Sequence, residues 1–95
     1  MRVRWTTPAL RDLETIGDYI AKDSPASAAK IISRIFHQTD MLAATPHMGR
    51  AGRVPNTREL VISETPFIMP YRVRGDEIQI LAVFHGARRW PESFE

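Results

Sequence analysis

The most regular pattern of hydrophobic and polar residues in the chain lies between residues 67 and 91. Two alternating runs of strand length flank Gly75-Asp76, and a two-residue connection that contains glycine predicts an antiparallel β-hairpin. Counting outward from this turn gives the expected cross-strand neighbours. The predicted pairs are Arg74–Glu77, Val73–Ile78, Arg72–Gln79, Tyr71–Ile80 and Phe67–Phe84.

Paired residues of a hairpin share one face of the sheet. One predicted face is almost wholly apolar and needs a covering layer: Phe67, Met69, Tyr71, Val73, Ile78, Ile80, Ala82 and Phe84. The other face, called here the mixed face, is polar near the turn and apolar further along: Ile68, Pro70, Arg72, Arg74, Glu77, Gln79, Leu81, Val83 and His85. Such a sheet is expected to carry helices on the apolar face and water or a partner on the mixed face.

The N-terminal part of the chain predicts a strand followed by a helix. Residues 2–6 alternate between polar and apolar side chains, which is typical of a short strand. Thr7-Pro8 then indicates a helix N-cap with proline in the first turn. Apolar residues spaced by three and four predict a helix to about Ala21, and Asp12 is expected on its solvent-facing side.

A second helix is predicted to start at the capping residue Ser24 and to end near Ala43. Because the connection between the helices is short, we expect an antiparallel helical hairpin that covers the apolar sheet face. Residues 57–62 form a third strand candidate, expected to pair with the strand that begins at Phe67. Pro70 lies inside that strand and lacks an N–H group, which predicts a bulge or an unpaired position.

These elements predict a single α+β domain over residues 1–95. The domain has an N-terminal strand and an antiparallel two-helix hairpin packed on one face of a mainly antiparallel sheet of about four strands. A chain of 95 residues has room for one modest core.

The chain has no cysteine, and its three histidines lack the spacing of metal ligands, so we expect no metal and no other cofactor. No apolar run approaches the roughly 20 residues of a membrane span and no signal peptide is recognisable, so we expect a cytoplasmic protein without a membrane partner.

The charged residues are mostly ordinary in number but biased in type. The net charge of +2 is too small to indicate nucleic acid binding by itself. Eleven of the 13 basic residues are arginine. The planar guanidinium suits carboxylate and phosphate groups, so the bias fits an acidic partner; the codon bias of a genome would produce the same preference.

Several segments occur in an order and spacing that resemble one family. They are the Trp5 to Ile20 pattern, Thr57-Arg58-Glu59-Leu60, the strand from Pro66 to Val73, and His85-Gly86-Ala87-Arg88 followed by Trp90-Pro91. Together they span the chain and resemble the RelE/ParE superfamily of type II toxins. The resemblance implies a toxin with one of two targets. RelE-like and YoeB-like members cut messenger RNA on the ribosome, whereas ParE-like members inhibit DNA gyrase.

A nuclease of this kind needs a base, an acid and a cation that reach one phosphate. The candidate residues in this chain are His85, Arg58 and Arg72, with Glu59 next to Arg58. In the predicted hairpin, Arg72 and His85 share the mixed face but lie roughly 20 Å apart. We therefore expect no catalytic site that uses both residues.

The resemblance itself also favours the ParE-like branch. The phosphate-binding arginine of RelE-like and YoeB-like nucleases falls three residues before the strand tyrosine, where this chain has Ile68. The basic loop and strand residues of RelE-like nucleases are lysines, whereas this chain has arginines. The C-terminal tyrosine of those nucleases has no counterpart in residues 88–95. His85 alone still fits a general acid or base, and a structural hydrogen-bonding role is its other interpretation. Nuclease activity stays as the alternative hypothesis to gyrase inhibition. A partner-binding module without toxicity is a third hypothesis.

The resemblance implies a ParD-like antitoxin as the principal partner, a hetero-oligomer with it, and contact with operator DNA only through it. On the mixed face, Ile68, Leu81 and Val83 predict an open apolar strip that suits such a partner. The alternative is that the C-terminal tail or a dimer mate covers the strip. The predicted antitoxin contacts are Ile68, Arg72, Arg74, Leu81, Val83 and His85.

The C-terminal segment is the candidate contact with the target, DNA gyrase. Exposed arginine and aromatic side chains are common binding anchors. The alternative is that the aromatic residues fold back onto the core and leave only the arginines in solvent. The predicted target contacts are Arg88, Arg89, Trp90 and Phe94.

Overall fold

Two helices pack on one face of a mixed sheet, which confirms the predicted α+β architecture. The computed structural model describes residues 1–94. Its elements are β1 (Arg2–Trp5), α1 (Thr7–Ala21), α2 (Pro25–Ala44), β2 (Arg50–Ala51), β3 (Arg58–Val61), β4 (Phe67–Arg74), β5 (Glu77–Ile80) and β6 (Phe84–His85). The strand order is β1-β5-β4-β3-β2, and β6 also pairs with β4. Only β1 and β5 run parallel within this region. Over the described residues, neither helix is both long and apolar enough to cross a membrane.

Hydroxyl side chains cap the start of both helices. Ser24 caps α2 as predicted, because its Oγ accepts a backbone N–H at 3.1 Å. For α1 the cap is Thr6 and not the predicted Thr7, with the Ala9 N–H donating to Thr6 Oγ at 3.4 Å. The Thr6 hydroxyl also donates to Ile80 O at 2.7 Å. This contact joins the start of α1 to the end of β5, a tertiary interaction that local sequence does not reveal.

The hydrophobic core lies between the helical hairpin and the sheet. Burying one large aliphatic side chain contributes about 1.5–3 kcal/mol, so the core is the main source of stability. The buried core residues are Ala9, Leu13, Ile35, Leu42, Leu60, Ile62, Met69, Tyr71, Ile78, Ile80 and Val83.

The β4–β5 hairpin has the predicted register from its turn to the end of β5. Beyond that point the three residues Leu81–Val83 face only two residues of β4, so the register shifts by one. Phe67 therefore pairs with His85 and not, as predicted, with Phe84. A bulge of this kind turns each later side chain of the strand to the opposite face.

Pro70 accounts for the position of this bulge. Leu81 N–H donates to Pro70 O at 2.9 Å, but proline has no N–H to return to Leu81 O. The bulge or unpaired position expected at Pro70 is thus confirmed. Inside the bulge, Val83 N–H donates to Asp12 Oδ2 of α1 at 3.0 Å. The prediction that Asp12 faces only solvent is therefore wrong, because its carboxylate satisfies a backbone group of the sheet.

Tyr71 anchors the loop that follows α2. Its side chain is fully buried, and its hydroxyl donates to Pro46 O at 2.8 Å and accepts from Gly49 N–H at 2.9 Å. Burial raises the pKa of Tyr71 above its usual value of 10.0, although the Gly49 N–H and the charge of Arg58 act in the opposite direction. The hydroxyl therefore stays protonated and holds both ends of the loop.

Replacing Tyr71 with phenylalanine should lower the free energy of unfolding by about 1–3 kcal/mol, because a buried N–H and a carbonyl lose their partner. Urea denaturation followed by circular dichroism measures this change. Tyr19→Phe is the matched control, since Tyr19 is 73% exposed. The control should change stability by less than about 0.5 kcal/mol. Equal effects of the two substitutions would contradict the anchoring role of Tyr71.

Candidate functional site

The candidate nuclease residues Arg72 and His85 lie on opposite faces of the sheet. His85 pairs with Phe67, which is five residues from Arg72 along β4. At about 3.3 Å per residue, this is a separation of roughly 17 Å along the strand. Side chains an odd number of positions apart point to opposite faces of a strand. The prediction that Arg72 and His85 share a face is therefore wrong, and the bulge is the reason.

Each candidate nuclease residue is held by a local contact. His85 Nδ1 accepts the backbone N–H of Ala87 at 3.1 Å, which stabilises the turn after β6. Arg72 Nε donates to Gln79 Oε1 at 2.8 Å, and Arg58 Nη1 donates to a loop carbonyl at 2.8 Å. Arg58 and Arg72 line one recess together with His47, but His85 does not contribute to it. The three candidate residues His85, Arg58 and Arg72 therefore do not converge on one point.

The apolar strip predicted on the mixed face is not open to a partner. Ile68, Leu81 and Val83 are only 9, 6 and 2% exposed. Because of the bulge, Val83 joins the core, and Phe84 takes a position on the mixed face opposite Ile68. Leu81 lies beside Phe94, close to the C-terminus. Coverage of this face by the chain's own C-terminal tail, the alternative weighed from the sequence, is the arrangement observed.

The C-terminal tail, residues 86–94, docks on the mixed face through aromatic contacts. Trp90 meets the Phe84 ring nearly edge-on, with 5.1 Å between ring centroids. Phe94 stacks against the same ring at 6.0 Å. Trp90 and Phe94, two of the four predicted target contacts, thus fold back onto the sheet. The two predicted target contacts that remain exposed are Arg88 and Arg89.

Glu59 carries a buried carboxylate on the mixed face. It is 2% exposed, and its carboxylate accepts from Arg50 Nε and Nη2 at 3.1 and 3.0 Å and from Arg53 Nε at 3.2 Å. The Arg53 backbone N–H adds a fourth hydrogen bond of 2.8 Å, and Arg53 Nη2 adds a fifth of 3.4 Å. Burial acts to raise the pKa of Glu59, but these hydrogen bonds outweigh it, so the pKa lies below its usual 4.5. We call Glu59, Arg50 and Arg53 the Glu59 clamp.

The Glu59 clamp holds the tail through Arg53. The Arg53 guanidinium lies 3.8 Å from the centroid of the Trp90 ring, a cation–π contact that contributes about 0.5–2 kcal/mol. Trp90 Nε1 is buried without a hydrogen-bond partner among the described residues, so packing and not hydrogen bonding holds the indole. Sequence reasoning missed this arrangement. The sequence feature that could have indicated this arrangement is a glutamate within a predicted strand, preceded by two arginines in a loop.

The known proteins that this chain resembles are described as toxins or as toxin-antitoxin systems. A protein-family model described as "ParE toxin of type II toxin-antitoxin system, parDE" matches residues 3–90. The chain is 48% identical over 91 residues to a Sinorhizobium fredii protein named "Putative toxin Y4kP", covering 96% of this chain and 94% of that one. It is 37% identical over 87 residues to "Toxin RelE2" of Caulobacter vibrioides, covering 92% and 97%. A solved structure described as "Chromosomal ParDE TA system from P. aeruginosa" is similar with a TM-score of 0.80 and 38% identity, covering 90% and 95% of the two chains.

Glu59→Gln keeps the shape of the side chain but removes the charge that binds both arginines. We expect the free energy of unfolding at neutral pH to fall by about 1–3 kcal/mol. Because the pKa of Glu59 is lowered in the folded protein, its stabilisation is complete above the unfolded value of about 4.5 and is lost as the pH falls through the folded value. The difference between wild type and variant should therefore shrink as the solution becomes more acidic than pH 4.5, measured by urea denaturation at several pH values.

The control for this experiment is Glu64→Gln. The Glu64 side chain is 77% exposed beside Arg34, and an exposed ion pair of this kind contributes less than about 1 kcal/mol. We expect little change in stability at any pH. A difference between wild type and Glu59→Gln that stays constant down to about pH 3 would contradict the role of an ionised Glu59.

Proposed function

The chain belongs to the ParE toxin family of type II toxin-antitoxin systems, and we propose that it inhibits DNA gyrase until a cognate antitoxin binds it. Resemblance to ParE-like toxins implies gyrase inhibition, whereas resemblance to RelE-like toxins implies cleavage of messenger RNA. The names of its relatives include both ParE and RelE, and one fold serves both activities. The choice between the two targets therefore depends on the site.

We propose gyrase and not messenger RNA as the target because Arg72 and His85 are separated in the sheet. Nuclease chemistry requires proton transfer and phosphate stabilisation at a single point. Here the bulge places His85 on the helix side of the sheet, where its ring lies 6.0 Å from that of Phe67, while Arg72 stays on the mixed face. A target that is bound and not cleaved needs no such convergence. This favours an inhibitor that acts by binding alone.

The exposed arginines of the tail are the proposed contact with gyrase. The Arg88 guanidinium rests 4.3 Å from the centroid of the Phe84 ring, and Arg89 extends into solvent. Trp90 and Phe94 hold the same segment against the sheet. The arginines are therefore presented on a docked segment, which reduces the entropy lost when they bind a target.

The antitoxin is proposed to bind those predicted contacts that the tail leaves accessible. These are Arg72 and Arg74 on the mixed face, with His85 at the far end of the sheet. Ile68 and Leu81 would need the tail to move, and Val83 is part of the core. The proposed complex is a hetero-oligomer in the cytoplasm that reaches operator DNA only through the antitoxin.

Purified protein should inhibit supercoiling of relaxed plasmid DNA by gyrase, and addition of the antitoxin should restore supercoiling. Expression without the antitoxin should arrest growth and induce a DNA damage response while ribosome-bound messages stay intact. Normal supercoiling at a large molar excess of the protein over gyrase would contradict the proposal. Message cleavage that disappears in His85→Ala would establish the nuclease alternative.

Substituting both exposed tail arginines, Arg88→Gln and Arg89→Gln, should raise the concentration needed for half inhibition of gyrase by about fivefold or more, as expected for binding anchors. The matched control replaces two exposed lysines of the helical hairpin, Lys22→Gln and Lys30→Gln, which changes the net charge equally. The supercoiling assay compares both double variants with the wild type. Equal inhibition by the two double variants would remove the tail from the proposed gyrase contact.

A further inference from the structure

Two adjoining recesses near the hairpin turn form a cleft with an excess of positive charge. Their volumes are about 500 and 390 Å³, and both are lined by residues 56–57, Arg72 and Val73. Arg74 lines the larger recess and Arg58 the smaller one. We call the two recesses together the basic cleft. Its position places three arginines around a space large enough for a side chain of a partner.

The arginines of the basic cleft are not neutralised within residues 1–94. On the same sheet, the arginines of β1 pair with Glu77, and those in and after β2 pair with Glu59. By contrast, Arg72 donates to an amide oxygen and Arg58 to two backbone carbonyl oxygens, all neutral acceptors. Arg74 is exposed at the end of β4. Among residues 1–94, the sheet therefore carries two kinds of arginine, those with a structural carboxylate partner and those without one.

Arg72 is the best oriented of the three. Its Nε donates to Gln79 Oε1 at 2.8 Å, and Gln79, which is 9% exposed, donates to Glu77 Oε1 at 2.8 Å. This chain of hydrogen bonds fixes the guanidinium, and its two terminal nitrogens keep no partner among the described residues. A planar fork held in this way matches the two oxygens of a carboxylate or a phosphate.

The other walls of the basic cleft favour a carboxylate on a polypeptide. Val54, Val73 and Phe94 give apolar surface beside the arginines, which suits a segment that alternates acidic and apolar residues. A concave recess suits a protruding side chain of a polypeptide, whereas a DNA duplex offers a regular convex row of phosphates that needs an open basic surface. Glu92 also lines the larger recess and lowers its net positive charge.

We propose that the basic cleft binds an acidic side chain of the antitoxin, with a neighbouring apolar side chain packed on Val73 and Phe94. The proposal rests on the proposed antitoxin partnership and adds to it the site and the chemistry of recognition. Arg72 supplies the oriented fork, and Arg58 and Arg74 supply further positive charge. Glu92 weakens binding by repelling the incoming carboxylate.

The test measures the dissociation constant between the purified toxin and the antitoxin encoded beside it, by isothermal titration calorimetry at several salt concentrations. Arg72→Gln should weaken binding by about tenfold or more and reduce its dependence on salt. Arg74→Gln should act in the same direction, and Glu92→Gln should strengthen binding by about two- to fivefold. Arg11→Gln, at an exposed position of α1, makes the same charge change and should leave binding unchanged.

The outcomes distinguish a failure of the proposed cleft site from a failure of the proposed antitoxin partnership. No binding by the wild type would overturn both, whereas tight binding that is equal in Arg72→Gln, Arg74→Gln and Arg11→Gln would overturn the cleft alone. A short DNA duplex is the second probe. Duplex binding that disappears in Arg72→Gln while antitoxin affinity stays constant would overturn the assignment in favour of phosphate. Thermal unfolding checks each variant, and Arg74→Gln at its exposed position carries the test if Arg72→Gln fails to fold.

Discussion

Pro70 has no N–H group to donate to the neighbouring strand, and the sheet changes register at this residue. The Leu81–Val83 bulge follows from it, with one backbone N–H of the bulge satisfied by Asp12 of α1. The bulge brings Val83 into the core and moves His85 to the helix side. A single missing hydrogen-bond donor thus determines which side chains can meet, and it keeps His85 away from Arg72 on the mixed face.

The mixed face is closed by a second interaction, between the Glu59 clamp and the tail. A buried carboxylate is costly unless it is paired and hydrogen-bonded, and five donor atoms from Arg50 and Arg53 satisfy this one. Arg53 in turn carries the Trp90 ring. Within residues 1–94, Glu59 thus pairs the arginines of the clamp, whereas the arginines of the basic cleft and of the tail have no carboxylate partner.

The parts of the fold predicted correctly depend on local signals. Helix caps, apolar spacing and the Gly75-Asp76 turn determine both helices and the register of the hairpin as far as β5. The faces beyond Pro70 were predicted wrongly because Val83 and Phe84 are both apolar, so alternation is equally satisfied in either register. The Glu59 clamp and the docked tail depend on contacts between distant segments without periodicity. The sequence therefore offered candidate arginines but did not show which of them Glu59 neutralises.

The most direct test of this account is a nuclear Overhauser measurement between the Hα protons of Phe67 and its partner across the strand. Gly86 N–H donates to Pro66 O at 2.8 Å, so Phe67 and His85 form a non-hydrogen-bonded pair, whose Cα atoms lie about 4.5 Å apart. The account predicts a strong Hα–Hα signal between Phe67 and His85. A strong signal between Phe67 and Phe84 instead would mean that the bulge is absent, return His85 to the face of Arg72 and contradict the argument against a nuclease.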